Sequence, residues 1–262
     1  MNKLFKVFAM AVMLIMGGQA MAQSRGAMFL SATFPMKDYA KYDGPFYGNF
    51  ALTTQNVGDA GADMGFNAGL KWYYNVGVKG LGVFLSVDGF YNGPTKELKN
   101  AYRAQEGEIG GNFVGSSFSY NATPKYINVP AMLGLNYIYH FNSNLGIYVE
   151  AGAGGNLRLI TDMESVSKGT LLGVETQITE TYDYDKALTF AYQAGIGFEV
   201  ARKLVIGCSF YDLGSAVVES EHKSITKTLV NNEYVTETGI PTHNSYGTVH
   251  PIMILGRIGF SF

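Results

Sequence analysis

Six charged residues, Lys71, Asp88, Glu150, Arg158, Glu199 and Arg257, sit in stretches where every second residue is apolar, and each falls in the other, polar phase. Three are basic and three acidic. Enclosed groups of this kind either line a polar path or pair with one another, because an isolated buried charge costs on the order of several kcal/mol. Placed along their stretches, Lys71, Glu150, Glu199 and Arg257 fall toward one end and Asp88 and Arg158 toward the other, so each level is expected to be neutral. Glu150 and Glu199 read as similar in depth, and two close carboxylates do not both stay charged cheaply. Arg257 is expected to bridge them through its bidentate fork, with Lys71 assisting.

The remaining chemistry-bearing residues argue against catalysis. His243-Asn244-Ser245 outwardly resembles the His-x-Ser dyad of outer-membrane lipid A deacylases, but it lies in a connecting stretch with no acid following it. His222 and His250 read as solvated, and His140 as hydrogen-bonded inside. Asp183, Asp185 and Glu180 lack EF-hand spacing. Gly152-x-Gly154 has no following helix and reads as strand glycine rather than a phosphate loop. No catalytic group, metal or cofactor is expected.

These residues are positioned by a two-residue period. In 188–200, Leu188, Phe190, Tyr192, Ala194, Ile196, Phe198 and Val200 share one phase, and Thr189, Ala191, Gln193, Gly195, Gly197 and Glu199 the other. Alternation of that length predicts strand. Eight such segments follow one another: 27–35, 64–74, 81–91, 126–141, 145–159, 188–200, 204–214 and 251–262. The connections 75–80, 142–144 and 201–203 are short, whereas the other four run 28 to 36 residues. Short turns at one end and long loops at the other predict an all-β chain forming an eight-stranded, antiparallel, up-and-down transmembrane β-barrel, with short periplasmic turns and long extracellular loops.

The sign of the alternation separates this from a soluble barrel. In the greasier phase every position is aliphatic, aromatic, Met, Ala, Gly or Cys, with the single exception of Asp212, and Cys208 falls on this face. The opposite phase carries the six charges with Asn67, Asn128, Asn136, Gln193 and His140. A soluble barrel places its charges outside. Trp72, Tyr74, Tyr137, Tyr139, Phe141, Phe198, Phe260 and Phe262 cluster at the short-turn ends, as a periplasmic aromatic girdle would.

Composition agrees. The chain has 262 residues, 33 Gly, 14% aromatic and 15% charged residues, one Cys and a net charge of −2. That excludes an internal disulfide and argues against nucleic-acid binding. Lys3 and Lys6, the apolar run from Val7 to Met16 and Ala20-Met21-Ala22 read as a secretory signal peptide over 1–22, cut after Ala22. The barrel domain is then 23–262.

With its final segment ending in Phe260 and Phe262, and with Tyr126-Ile127-Asn128-Val129-Pro130 followed by Leu133-Gly134-Leu135-Asn136-Tyr137, the chain resembles the small bacterial outer-membrane barrels of the OmpA/OmpX/OmpW type and Bacteroidetes-type outer-membrane barrel domains. The resemblance implies a bacterial outer-membrane location, lipopolysaccharide and other outer-membrane lipid as surroundings, and Phe260 and Phe262 as a signal read by the barrel-assembly machinery. It also implies an alternative activity, passage of small hydrophobic molecules.

The four long connections carry 10 basic and 17 acidic residues. Ser224 to Val230, Asn231-Asn232 and Glu233 to Thr238 read as a hairpin closed by a two-residue turn, and 174–184 is β-prone. The expectation is a non-enzymatic, monomeric barrel. Its lumen is closed by paired charges, and its acidic loops serve surface interaction, adhesion to an extracellular partner, or envelope integrity.

Overall fold

The computed structural model describes residues 24–41, 60–105, 113–230 and 233–262. The signal peptide and the Asn231-Asn232 turn lie outside the described residues. The strands are β1 (Ser24–Pro35), β2 (Ala62–Asn75), β3 (Leu81–Pro94), β4 (Phe113–Ala122), β5 (Tyr126–His140), β6 (Leu145–Ile160), β7 (Met163–Leu171), β8 (Val174–Tyr184), β9 (Ala187–Val200), β10 (Leu204–Asp212), β11 (Ala216–Val230), β12 (Glu233–Thr238), β13 (Thr242–Val249) and β14 (Ile252–Ser261). Among the described residues one α-helix, α1 (Lys96–Gln105), interrupts them.

Eight strands close into a barrel in the order β1, β14, β10, β9, β6, β5, β3, β2, every pair antiparallel. Each predicted segment forms one barrel strand, with ends shifted by a few residues. Consecutive barrel strands are wall neighbours, and the last seals onto the first, with Ala27 opposite Ser261 and Pro35 opposite Met253. The seam is locked at its lower end by Gly26 and Phe262, which exchange backbone hydrogen bonds at 2.9 and 3.0 Å. The short turns at 76–80, 141–144 and 201–203 share that end. In two of them an Asn caps the chain reversal: Asn75 Oδ1 accepts from the Gly77 amide, and Asn142 Oδ1 from the amides of Asn144 and Leu145, the local bonding that suits Asn to turns.

The long connections extend beyond the wall as a second, six-stranded sheet in the order β12, β11, β8, β7, β4, with β13 also paired to β11. β11 and β12 meet at Val230 opposite Glu233, as the hairpin reading requires. The helix has no strand-like alternation. Its start is legible afterwards: Thr95 caps it, accepting from the Leu98 amide at 3.2 Å through Oγ1, which is the N-cap role Thr favours.

Candidate functional site

A period of two fixes which phase faces in, and the ring order fixes what meets across the bore. β6 stands four strands from β1 in either direction, and β2 and β14 flank β1. Glu150 on β6 therefore spans the lumen. Lys71 Nζ donates to its Oε1 at 2.6 Å and Arg257 Nη1 to the same oxygen at 3.0 Å. The second Arg257 nitrogen donates to the Tyr211 hydroxyl at 2.7 Å, and Tyr211 donates onward to Asp88 at 3.3 Å. Asp88 also accepts from Asn67 at 3.5 Å. The cations are flanked by rings, with Lys71 Nζ 4.4 Å from the Phe84 centroid and the Arg257 guanidinium 4.8 Å from that of Phe29. Desolvated cation–π contacts of this kind contribute about 2 kcal/mol. All six lumenal charges are buried.

Two sequence-based expectations are corrected. Arg257 does not bridge Glu150 and Glu199. In the β6–β9 register Glu150 lies opposite Gly195 and Glu199 opposite Gly146, so the carboxylates are offset by four residues, or about 13 Å along the wall. Glu199 pairs instead with Arg25 and lies 3.1 Å from His140 Nε2, at the short-turn mouth. Nor do Asp88 and Arg158 neutralise each other. Arg158 donates to the carbonyls of Val249, Ala216 and Val217 at 2.9 to 3.1 Å, tying down the bases of β11 and β13. Two sets of charges pair, Lys71 and Arg257 with Glu150 and Asp88, and Arg25 with Glu199, whereas Arg158 is held by carbonyl oxygens and has no carboxylate partner among the described residues. Arg25 precedes the first alternating segment, which begins at Ala27, so strand phase alone does not reveal it.

The outer face carries the opposite chemistry. Trp72, Tyr139, Phe141, Phe198, Phe260 and Phe262 are all exposed and Tyr74 half-exposed, around the end that bears the short turns. Leu133, Leu135, Val149, Phe190, Ile196, Ile206 and Ile258 continue the apolar surface along the wall. A face this apolar around a closed ring is solvated by hydrocarbon rather than water. The chain is an eight-stranded transmembrane β-barrel of the outer-membrane type. No family model and no curated protein sequence matches it. Among solved structures it is similar to Ail, the attachment invasion locus protein of Yersinia pestis, at 14% identity and a TM-score of 0.33, covering 91% of this chain and 97% of that one. It is also similar to a major outer membrane protein from Thermus thermophilus, at 12% identity and a TM-score of 0.34 over 91% and 98% of the two chains. Neisserial surface protein A gives 9% identity and a TM-score of 0.30 over 91% and 96%.

Three further features of this barrel escape a reading of the sequence. Asp212, the exception in the outward phase, accepts from Tyr192 at 2.7 Å and from the Gly214 amide at 3.0 Å and lies 2.6 Å from His250 Nε2. His250 thus has a carboxylate partner, and His222 stacks on Tyr182 with centroids 4.5 Å apart. Secondly, the upper bore holds an apolar cluster in which Tyr39, Leu98 and Met163 from the long connections pack with Tyr126, Met253 and Leu255 of the wall. Thirdly, inward glycines make room for rings: Phe84 lies over paired Gly134 and Gly152, Tyr148 over Gly197 and Gly207, and Phe29 over Gly259. His243 and Ser245 are exposed on β13, and Asp183 and Glu180 point to opposite faces of β8 by strand alternation.

Proposed function

We propose that this chain is a non-enzymatic, monomeric barrel of the bacterial outer membrane, its short turns in the periplasm and its second sheet outside the cell, serving as an interaction surface on a closed wall. The observation that carries this reading is the edge of β12, which is unpaired among the described residues. That strand ends the sheet, and all six of its residues are exposed, Tyr234 and Val235 among them. Unpaired backbone along an exposed edge is a template for an added strand. The sheet's acidity would favour a basic partner segment. Lys223, 2.7 Å from Glu221, holds that carboxylate below its usual range, so the charge persists into mildly acidic surroundings. The belt would face lipopolysaccharide and other lipid, and Phe260 and Phe262 would serve the assembly machinery.

The test is excision of 225–238. The Gly239 amide donates to the Ser224 carbonyl at 2.8 Å, so a short Gly-Ser turn can join the two without strain. Cells carrying the excised barrel should lose surface attachment several-fold at equal levels of the heat-modifiable folded band. Unchanged attachment would sink the interaction reading.

Closure of the lumen is supported by the ion cluster spanning the bore and the apolar cluster above it. In planar bilayers the parent should give no large steady conductance. A stable open channel would favour the conduit reading instead.

A further inference from the structure

We propose that the short-turn mouth of the barrel is a binding site for a small oxyanion, a carboxylate or phosphate group. A cavity of about 530 Å³ opens there, and its lining includes Arg25, Lys79, Arg202, His140, Glu199 and Asn136. Three permanent cations face one carboxylate. That carboxylate is already engaged by Arg25 and by His140. Lys79 and Arg202 have no ion-pair partner among the described residues, so the cup carries uncompensated positive charge.

The fold sets those two cations against each other. Lys79 sits in the β2–β3 turn and Arg202 in the β9–β10 turn, and these strand pairs occupy opposite sides of the ring. One anion entering the mouth can therefore be approached from both rims. The β9–β10 turn has Ala201 at φ 51° and Arg202 at φ 59°, a left-handed conformation that non-glycine residues avoid unless held there.

A neutral group completes the site. Asn136 is only 6% exposed, and its side-chain Oδ1 has no hydrogen-bond partner. The two ends of an amide are interchangeable by rotation, so this side chain can offer an N–H to an oxyanion at the wall of the cup. Deeper in, Tyr73 hydrogen-bonds Glu150 at 3.4 Å, so the ion cluster forms the inner wall of the cup.

The same chemistry has two sources: a soluble periplasmic anion, or the headgroup phosphate of a lipid in the adjoining leaflet. The test uses the full barrel folded in uncharged maltoside micelles, with inorganic phosphate and tricarballylate as probes and backbone amide shifts of Arg25, Lys79 and Arg202 as readout. Saturable shifts are expected for at least one probe, absent with sodium chloride at equal ionic strength. Lys79→Gln with Arg202→Gln should weaken that binding at least tenfold without changing the heat-modifiable band. In a second arm, nanodiscs of phosphatidylglycerol should block the probe if a lipid headgroup fills the cup, and leave probe binding intact if the ligand is soluble. Shifts reproduced by chloride, no saturable shift with either probe, or undiminished binding in the double variant would overturn the proposal.

Discussion

Replacing Arg257 with Met is expected to destabilise the folded barrel by roughly 3 to 5 kcal/mol, the range for stranding a buried ion. The guanidinium is the second donor to Glu150 Oε1 and the donor to Tyr211, so its loss leaves Lys71 as the one cation on the Glu150 carboxylate, beside the neutral Tyr73 hydroxyl, and removes one of the two cations near Asp88. The methionine chain fills part of the vacated volume without replacing a hydrogen bond. Urea titration of the micelle-folded protein, followed by tryptophan emission from Trp72, reads the loss. Two double variants give the argument its edge. Arg257→Met with Glu150→Gln removes the orphaned charge and should recover a substantial part of the loss, because partners in one network couple by about 0.5 to 3 kcal/mol. Arg257→Met with Glu199→Gln should be additive, since Glu199 belongs to the Arg25 and His140 cluster at the mouth. Coupling to Glu199 and additivity with Glu150 would invert the assignment of the two clusters.

That pair of experiments also marks where the sequence stops being legible. The choice of the six inward charges requires only strand phase, which a period of two supplies directly. Their partners depend on stagger around the ring, a property of how each strand slides against the next and not of any one strand. Adjacency in sequence suggests that Glu150 and Glu199 share a level, but the tilt of the wall sets them four residues apart. Arg25 is hidden for a different reason: Ser24, Arg25 and Gly26 lack the apolar signature of a strand, and pairing with Trp72, Tyr73 and Tyr74 on β2, with Gly26 also bonded to Phe262, draws them into the wall. The second sheet is half legible. β8, β11 and β12 have β-prone runs, whereas Phe113–Ala122 mixes Gly, Ser and Asn and becomes β4 by pairing with β7. Leu98, which packs into the apolar cluster of the upper bore, is carried by a helix whose one local announcement is Pro94-Thr95 ahead of helix-forming residues.

The glycines are legible as strand glycines but not as a packing device, and this leads to the second large effect. Gly152→Val is expected to cost about 3 kcal/mol, at the upper end of the overpacking range. A side chain there would place its Cβ 2.8 Å from Phe84 Cζ and 3.0 Å from the Leu133 carbonyl oxygen. Real Cβ atoms do not approach a ring that closely, so Phe84 must swing away. It cannot swing freely, because its face lies against Lys71 Nζ and its edge against the paired Gly134. Moving the ring therefore disturbs the ion cluster as well as the packing. Phe84→Ala alone should cost about 3 to 5 kcal/mol by leaving a cavity, yet the double variant should be less destabilised than the two single losses added together, since the valine then enters space the ring has vacated. A glycine three residues along the same strand supplies the control. Gly155 points outward, with nothing within 4 Å of where a Cβ would sit, so Gly155→Val should be neutral or slightly stabilising, as a β-branched residue on an open strand face generally is. Equal losses at Gly152 and Gly155 would mean that strand backbone freedom, rather than the ring over Gly152, sets the requirement for glycine, and the inward rings would then be incidental to how this barrel fills its bore.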